Sequence, residues 1–293
     1  MFPKTAPPQG ARRLSDLLRE QSSLPLWQAG PILAQLTAHA ETSPCPVAPE
    51  DLLLEPDGQL ILLSGRGTQA PETRDQPPEA LVSAENQQQP AAQVYRLCAL
   101  FCHLLTGAPP ETGESLSRRR ARFRMPARTL SLSDEAGALL FRLLDRGLRL
   151  EPTRRFPTPG ALLEALDALA AQLDGEARRV LRIEGTAGVF AGIPLAPRFP
   201  AVLGRQPEAC QILFPPDTPG VSRRHCKLEL RWGSLLVTDL NASYGTFLSE
   251  TRLVPWCPAE WRPGQILCLG SDRQAFRMLH KEGPRSGQIS SSF

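Results

Sequence analysis

No apolar run in the 293 residues approaches the roughly 20 that a membrane-spanning helix needs. The opening Met1-Phe2-Pro3-Lys4 has no apolar stretch of the kind a secretory signal carries. The seven cysteines are odd in number, scattered, and form no Cys-x-x-Cys pair, so their spacing suggests neither a disulfide framework nor a zinc ribbon. Cys98 and Cys102 share a helix face with no His, Asp or Glu at zinc spacing. They are expected as free buried thiols in a reducing compartment. A net charge of +3 is too small to argue for nucleic acid or an anionic membrane surface. Basic residues cluster locally, at Arg118 to Arg128 and at Arg223-Arg224, and the first cluster reads as a solvated face. The expectation is a cytoplasmic chain without membrane insertion, nucleic-acid partner, metal or cofactor.

What is present is enough for about two domains with real cores, at 41% hydrophobic and 22% charged residues. Residues 1–12 are Pro- and Gly-rich and expected to be loose. Leu14, Leu17 and Leu18 mark a short amphipathic helix, and Ile32, Leu33 and Leu36 a second one with Pro31 near its start. Asp57-Gly58 between Leu52-Leu53-Leu54 and Leu60-Ile61-Leu62-Leu63 signals a hairpin. Ser64 to Pro90 is polar and rich in Pro and Gln, hence a long loop. An apolar helix runs from about Ala92 to Leu105 and ends on Thr106-Gly107. Ser133-Asp134-Glu135 caps a helix carrying Leu139, Leu140, Leu143 and Leu144. Pro157-Thr158-Pro159 opens the last helix, with Leu162, Leu163, Leu166 and Leu169 inward, and Asp174-Gly175-Glu176 reads as the boundary.

From about Arg178 short period-2 runs replace the helices: Val180–Ile183, Ile193–Leu195, Ala201–Leu203, Cys226–Leu230, Leu235–Thr238 and Ile266–Leu269, punctuated by Gly, Pro or Asn. Short strands at such spacing predict a β-sandwich. Val202, Leu228, Leu230, Val237, Leu240, Phe247 and Leu267 are the expected core. The fold class is thus a multidomain α+β chain, mainly helical over 13–174 and an all-β sandwich over 178–281, with a tail at 282–293 expected to be disordered.

Three motifs punctuate the strand region: Leu203-Gly204-Arg205, Ser222-Arg223-Arg224-His225, and Asp239-Leu240-Asn241-Ala242-Ser243-Tyr244-Gly245-Thr246-Phe247. A phosphate dianion calls for a charged fork and short hydroxyl donors on rigid loops. Arg205 can supply the fork and Ser222 a hydroxyl and a backbone N–H. In order and spacing the three pieces resemble the forkhead-associated (FHA) domain, a phosphothreonine reader whose signature is Gly-Arg, Ser-x-x-His and Asn-Gly-Thr. The resemblance implies that Arg205, Ser222, Arg223 and Ser243 contact the phosphopeptide, that Gly204 and Gly245 shape the loops, and that His225 braces the Ser222 loop from behind. The chain departs from the pattern at Tyr244, where the family has the asparagine that clamps the peptide backbone. Asn241, three residues earlier, is the alternative amide.

The helical region resembles the C-terminal lobe of a protein kinase over roughly residues 14–172. Pro49-Glu50-Asp51-Leu52-Leu53-Leu54 resembles the end of a catalytic loop. Pro78-Glu79-Ala80 resembles the close of an activation segment, Val94 to Gly107 the buried central helix, and Leu150-Glu151-Pro152-Thr153-Arg154-Arg155-Phe156 a late segment with its structural arginine, Arg155. The catalytic parts are absent. No glycine-rich loop or strand lysine precedes the first helix, Ser43-Pro44-Cys45-Pro46 has no base, and Leu63-Ser64-Gly65 has no magnesium carboxylate. Asp51 alone stands at a metal-binding position, where an exposed turn residue is the plainer reading.

The chain therefore reads as a non-enzymatic, phosphothreonine-dependent scaffold in Ser/Thr kinase signalling, with no catalytic residues. Its partner would be a phosphothreonine-containing protein, a Ser/Thr protein kinase or a kinase substrate. The alternatives are a divergent or split kinase completed in trans and a phospho-independent structural adaptor.

Overall fold

Apolar residues three and four apart build the first half of the chain. In the computed structural model, which describes residues 10–42, 49–56, 58–63, 89–111, 118 and 134–280, the chain divides into two units, 1–173 and 174–293. The first unit contains α1 (Leu14–Gln21), α2 (Leu26–Thr42), α3 (Pro90–Thr106), α4 (Asp134–Gly147) and most of α5 (Pro159–Val180). A small antiparallel sheet joins β1 (Arg12–Arg13), β2 (Leu52–Leu54) and β3 (Leu60–Leu62) in that order. The β2–β3 register is Leu52 to Leu62, Leu53 to Ile61 and Leu54 to Leu60, and Gly58 takes the positive φ of 92° that its tight turn needs.

α3 is buried nearly all round, as its uninterrupted apolar composition requires, and packs against α2 and α4. Gly107 closes it in the left-handed conformation, with its N–H donating to His103 O at 2.8 Å. Arg155, only 2% exposed, is satisfied by backbone carbonyls. Its Nε donates to Arg149 O at 2.6 Å, Nη1 to Ala91 O at 2.9 Å and Nη2 to Leu150 O at 3.0 Å, and its guanidinium lies 4.8 Å from the Tyr95 ring centre. Those bonds compensate a buried cation and tie the segment before α5 to the first turn of α3.

Two local expectations need correction in this unit. Pro31 lies inside α2, because burial of Leu26, Trp27 and Ala29 draws the preceding residues into the helix. Leu139 and Leu163 are half-buried, and Leu173 takes a core place instead. The division into two units falls at Asp174-Gly175-Glu176, and α5 runs through it to Val180. A lone glycine in an exposed helix costs only about 1 kcal/mol. The Ser64–Pro90 loop, the Ser133 cap, the catalytic-loop and metal-loop positions Ser43–Pro46 and Ser64-Gly65, Pro78-Glu79-Ala80, most of the Arg118–Arg128 cluster and the 282–293 tail lie outside the described residues, as does most of the 1–12 segment.

The second unit is a two-sheet sandwich. One sheet has the order β11 (Thr251–Arg252), β10 (Thr246–Leu248), β13 (Ile266–Leu269), β14 (Ser271–His280), β4 (Leu181–Ala187), β5 (Pro194–Leu195). The other has the order β12 (Pro258–Glu260), β9 (Ser234–Asp239), β8 (Cys226–Arg231), β6 (Ala201–Gly204), β7 (Ile212–Leu213). Among the described strands only β6 and β7 run parallel. Leu203, Phe214, Leu228, Val237, Trp261, Leu267, Leu269 and Phe276 fill the space between the sheets. Leu228, Val237 and Leu267 were expected there. Val202 and Phe247 instead face outward and are half-buried, since Ala201 and Leu203 in β6 and Thr246 and Leu248 in β10 take the inner face. A one-residue error in phase exchanges faces in a period-2 strand. Leu230 and Leu240 are also only half-buried.

At the other end of α5, Asp174 accepts the Gly233 N–H at 2.8 Å, capping the Trp232-Gly233 turn between β8 and β9. Burial raises the Asp174 carboxyl above its usual range, opposed by that bond and by Arg178 and Arg231. No helix among the described residues is long and apolar enough to cross a membrane.

Candidate functional site

The loops that carry the three motifs meet at one end of the sandwich. β6 ends at Gly204 because the next loop crosses directly over it: a Cβ at 204 would stand 2.3 Å from Arg223 O and 2.9 Å from Cys210 Sγ. The Arg205 N–H is shared between Ser222 O at 3.2 Å and Arg223 O at 2.9 Å, and Gln206 N–H also donates to Arg223 O at 3.0 Å. The Arg205 side chain is engaged as well. Its Nε donates to Val221 O at 2.5 Å and its Nη1 to Pro216 O, so the guanidinium staples the 215–221 loop to the end of β6.

Ser222 joins two loops. Its Oγ accepts the Ser243 N–H at 3.1 Å, and its own N–H donates to His225 Nδ1 at 3.0 Å. The backbone N–H expected to serve a ligand is therefore occupied, and the hydroxyl proton is what Ser222 can still offer.

His225 is fully buried, and an accepting Nδ1 fixes its tautomer. Nε2 carries the proton and donates to Gly245 O at 3.0 Å. His225 N–H donates to Leu203 O at 2.8 Å and its carbonyl accepts Leu240 N–H at 2.9 Å. The ring thus ties the Ser222 loop to the 240–245 loop through the neutral imidazole. Burial pushes its pKa below the ordinary 6.5, against the opposing pull of the Gly245 bond and of Asp239.

With the folded value depressed, the His225 contribution to stability is complete above pH 6.5 and is lost as pH falls from there toward the folded-state value, because the unfolded chain binds the proton first. Chemical denaturation between pH 7.5 and pH 5.5 should show a stability decline that His225→Gln reduces. Equal slopes in both proteins would remove His225 from this role.

The 240–245 loop is shaped from inside by Asp239, a residue of the third motif to which the resemblance assigns no role. Asp239, 1% exposed, accepts the Thr246 hydroxyl with one oxygen and the Ala242 N–H at 3.3 Å with the other. An Asp bonding a backbone N–H a few residues on is a recognisable turn signal. Gly245 follows with φ 79° and Asn241 precedes with φ 62°.

Arg205, Ser222, Arg223, Asn241, Ser243 and Tyr244 all line one groove of about 710 Å³. Arg224 and the Pro216–Gly220 wall, neither assigned from sequence, line it too. Tyr244 stands 65% exposed. The lining carries three arginines against one carboxylate, Asp217, so its field favours an anion. Among the described residues no three His, Cys, Asp or Glu side chains are placed to hold a metal. The buried Cys98 thiol is raised to about 12, first by burial and then by Cys102, which keeps it protonated.

The family model for the FHA domain matches residues 201–270. The FHA domain of an Arabidopsis thaliana hypothetical protein is 25% identical, covering 37% of this chain and 91% of its own, with a TM-score of 0.32. The N-terminal FHA domain of S. cerevisiae Rad53p, solved with a phosphothreonine peptide, is 18% identical over 34% of this chain and 93% of its own, with a TM-score of 0.29. Among curated proteins, the chloroplastic zeaxanthin epoxidase of Prunus armeniaca is 30% identical over 95 residues, which are 30% of this chain and 14% of the epoxidase. The chain therefore spans only a small part of the curated relative's length. With the Gly-Arg and Ser-x-x-His motifs joined across the loops of a two-sheet sandwich, residues 201–270 are an FHA domain.

Proposed function

We propose that the groove binds phosphothreonine in a partner protein and that the chain is a non-catalytic scaffold of Ser/Thr kinase signalling in the cytoplasm. The observation that carries the reading is the meeting of Arg205, Ser222 and Ser243, far apart in sequence, on one cationic groove. Arg205 and Arg223 match the phosphate charge, and the Ser222 and Ser243 hydroxyls supply short donors. His225 and Asp239 hold the two loops in register from behind. The helical unit is read as a kinase-lobe remnant that lends no catalysis. That reading rests on the motif resemblance at residues 49–54, 94–107 and 150–156.

The test is a titration of the full chain with a phosphothreonine peptide library, alongside the unphosphorylated and phosphoserine counterparts. Binding of the phosphothreonine series at tens of micromolar, roughly 6 kcal/mol, is the expected result. No discrimination between phosphorylated and unphosphorylated peptides would leave a phospho-independent adaptor.

Tyr244 makes the affinity modest. An asparagine amide both donates and accepts, whereas Tyr244 has a single hydroxyl on a long ring. Tyr244→Asn is expected to tighten binding by about 1 kcal/mol, one net hydrogen bond. If Tyr244→Asn weakens binding and Asn241→Ala leaves it unchanged, the exposed ring is itself the peptide contact.

A further inference from the structure

Outside the groove lining, the exposed Arg252 has no counter-charge among the described residues. Arg252, on the exposed edge strand β11, lays its guanidinium against Gly245. A Cβ at 245 would stand 2.6 Å from its Nε and 3.1 Å from its Cζ. Gly245 thus does two things: it accepts φ 79°, and by lacking a side chain it admits the guanidinium to the backbone beside Tyr244. Among the described residues the Arg252 side chain has no hydrogen-bond or ion-pair partner, and Glu250 two residues away does not pair with it.

The charge balance of the groove makes this placement informative. Arg205, Arg223 and Arg224 line the groove with Asp217 as the opposing carboxylate. The remaining two positive charges are matched by a phosphate monoester carrying about −1.5 to −2 at pH 7. Arg252 is left over, outside the groove lining but against the residue that follows Tyr244. A guanidinium at that place can take a carboxylate or phosphate through its planar fork.

We propose, resting on the phosphothreonine reading, that Arg252 reads a second anionic group on the same ligand, an Asp or Glu carboxylate or a second phosphate near the phosphothreonine. The preferred ligand is then an acidic or multiply phosphorylated segment. The two sources of charge share one chemistry and are separable by peptide design.

The experiment is fluorescence anisotropy with three sets of phosphothreonine peptides: neutral flanks, a single Glu walked through the flanking positions, and a second phosphate walked likewise. Wild type is expected to bind the best acidic peptide about two- to fivefold tighter than the neutral one, the range an exposed ion pair allows. A second phosphate at the same position should match or exceed that gain. Arg252→Ala is expected to erase the preference while leaving neutral-flank affinity unchanged, and Arg252→Lys should keep part of it. The gain should also shrink in 1 M salt, where the screening length is about 3 Å. Equal binding of all three sets by wild type, or a preference surviving in Arg252→Ala, overturns the assignment of Arg252 alone. Failure of every phosphopeptide to bind overturns the phosphothreonine reading, and the Arg252 proposal with it.

Discussion

Arg205→Ala is expected to lower the affinity for a phosphothreonine peptide by about 2–4 kcal/mol, the usual loss when one partner of a charged hydrogen-bonded pair is truncated. Two effects act in the same direction. The groove loses a cation. In addition the 215–221 loop loses its staple, since Arg205 Nε and Nη1 hold Val221 O and Pro216 O. Arg205→Lys separates them, because lysine keeps the charge but has no fork to span two carbonyls. It should recover part of the affinity without restoring the loop. Calorimetric titration of both variants reads the difference. Binding by Arg205→Ala at wild-type strength would show that the phosphate sits elsewhere.

Gly204→Ala is expected to destabilise the sandwich by about 1–3 kcal/mol, the range of overpacked interior positions, and toward its upper end. The obstructing atom is the Arg223 carbonyl oxygen, 2.3 Å from the new methyl, and backbone cannot rotate away as a side-chain tip can. That oxygen accepts the N–H groups of Arg205 and Gln206 and the Cys210 thiol, at 2.9, 3.0 and 3.2 Å, so its displacement disturbs the whole Gly-Arg turn. Phosphopeptide binding should fall with it. Gly175→Ala is the control, since its Cβ would meet nothing within 4 Å on a helical backbone. It should be neutral or stabilising by up to about 1 kcal/mol. Urea denaturation compares the three proteins. A Gly204→Ala protein as stable as wild type would mean that the close crossing relaxes freely.

Arg205, Ser222, Arg223, Asn241, Ser243 and Tyr244 are legible in the sequence because they sit on loops, where chemistry restricts residue type and strand geometry does not. Gly-Arg, Ser-x-x-His and Tyr-Gly-Thr keep their spacing whatever the strands between them do. Four things could not be read that way. β14 was missed because it has no clean alternation: Gln274, Ala275 and Phe276 are all buried, and the register shifts between Ala275 and Phe276. Val202 and Phe247 were put on the wrong face because their inner neighbours, Ala201 and Thr246, are small or polar. The role of Asp239 is not legible because a carboxylate ordinarily reads as surface, and only its bonds to Thr246 and Ala242 explain its burial. The engagement of Arg205 with carbonyls is a tertiary fact that no local pattern contains.

The pairing of β4 with β14 has a consequence for how the protein is made. Leu181 and His280 are direct cross-strand partners, so the first strand of the sandwich waits for the last. At about 5–20 residues per second, a ribosome takes several seconds or more to supply the roughly one hundred residues between them. During that interval β4 lacks a permanent neighbour on its β14 side, although β6, β8 and β9 can already form a local meander. Non-local pairing of this kind is slow to nucleate even in a complete chain. The helical unit has no such dependence, since it precedes β4 and can be finished earlier. The vulnerable species during synthesis is therefore a chain with its helices folded and a β4 that has β5 on one side and an open edge on the other, the state a nascent-chain chaperone would encounter.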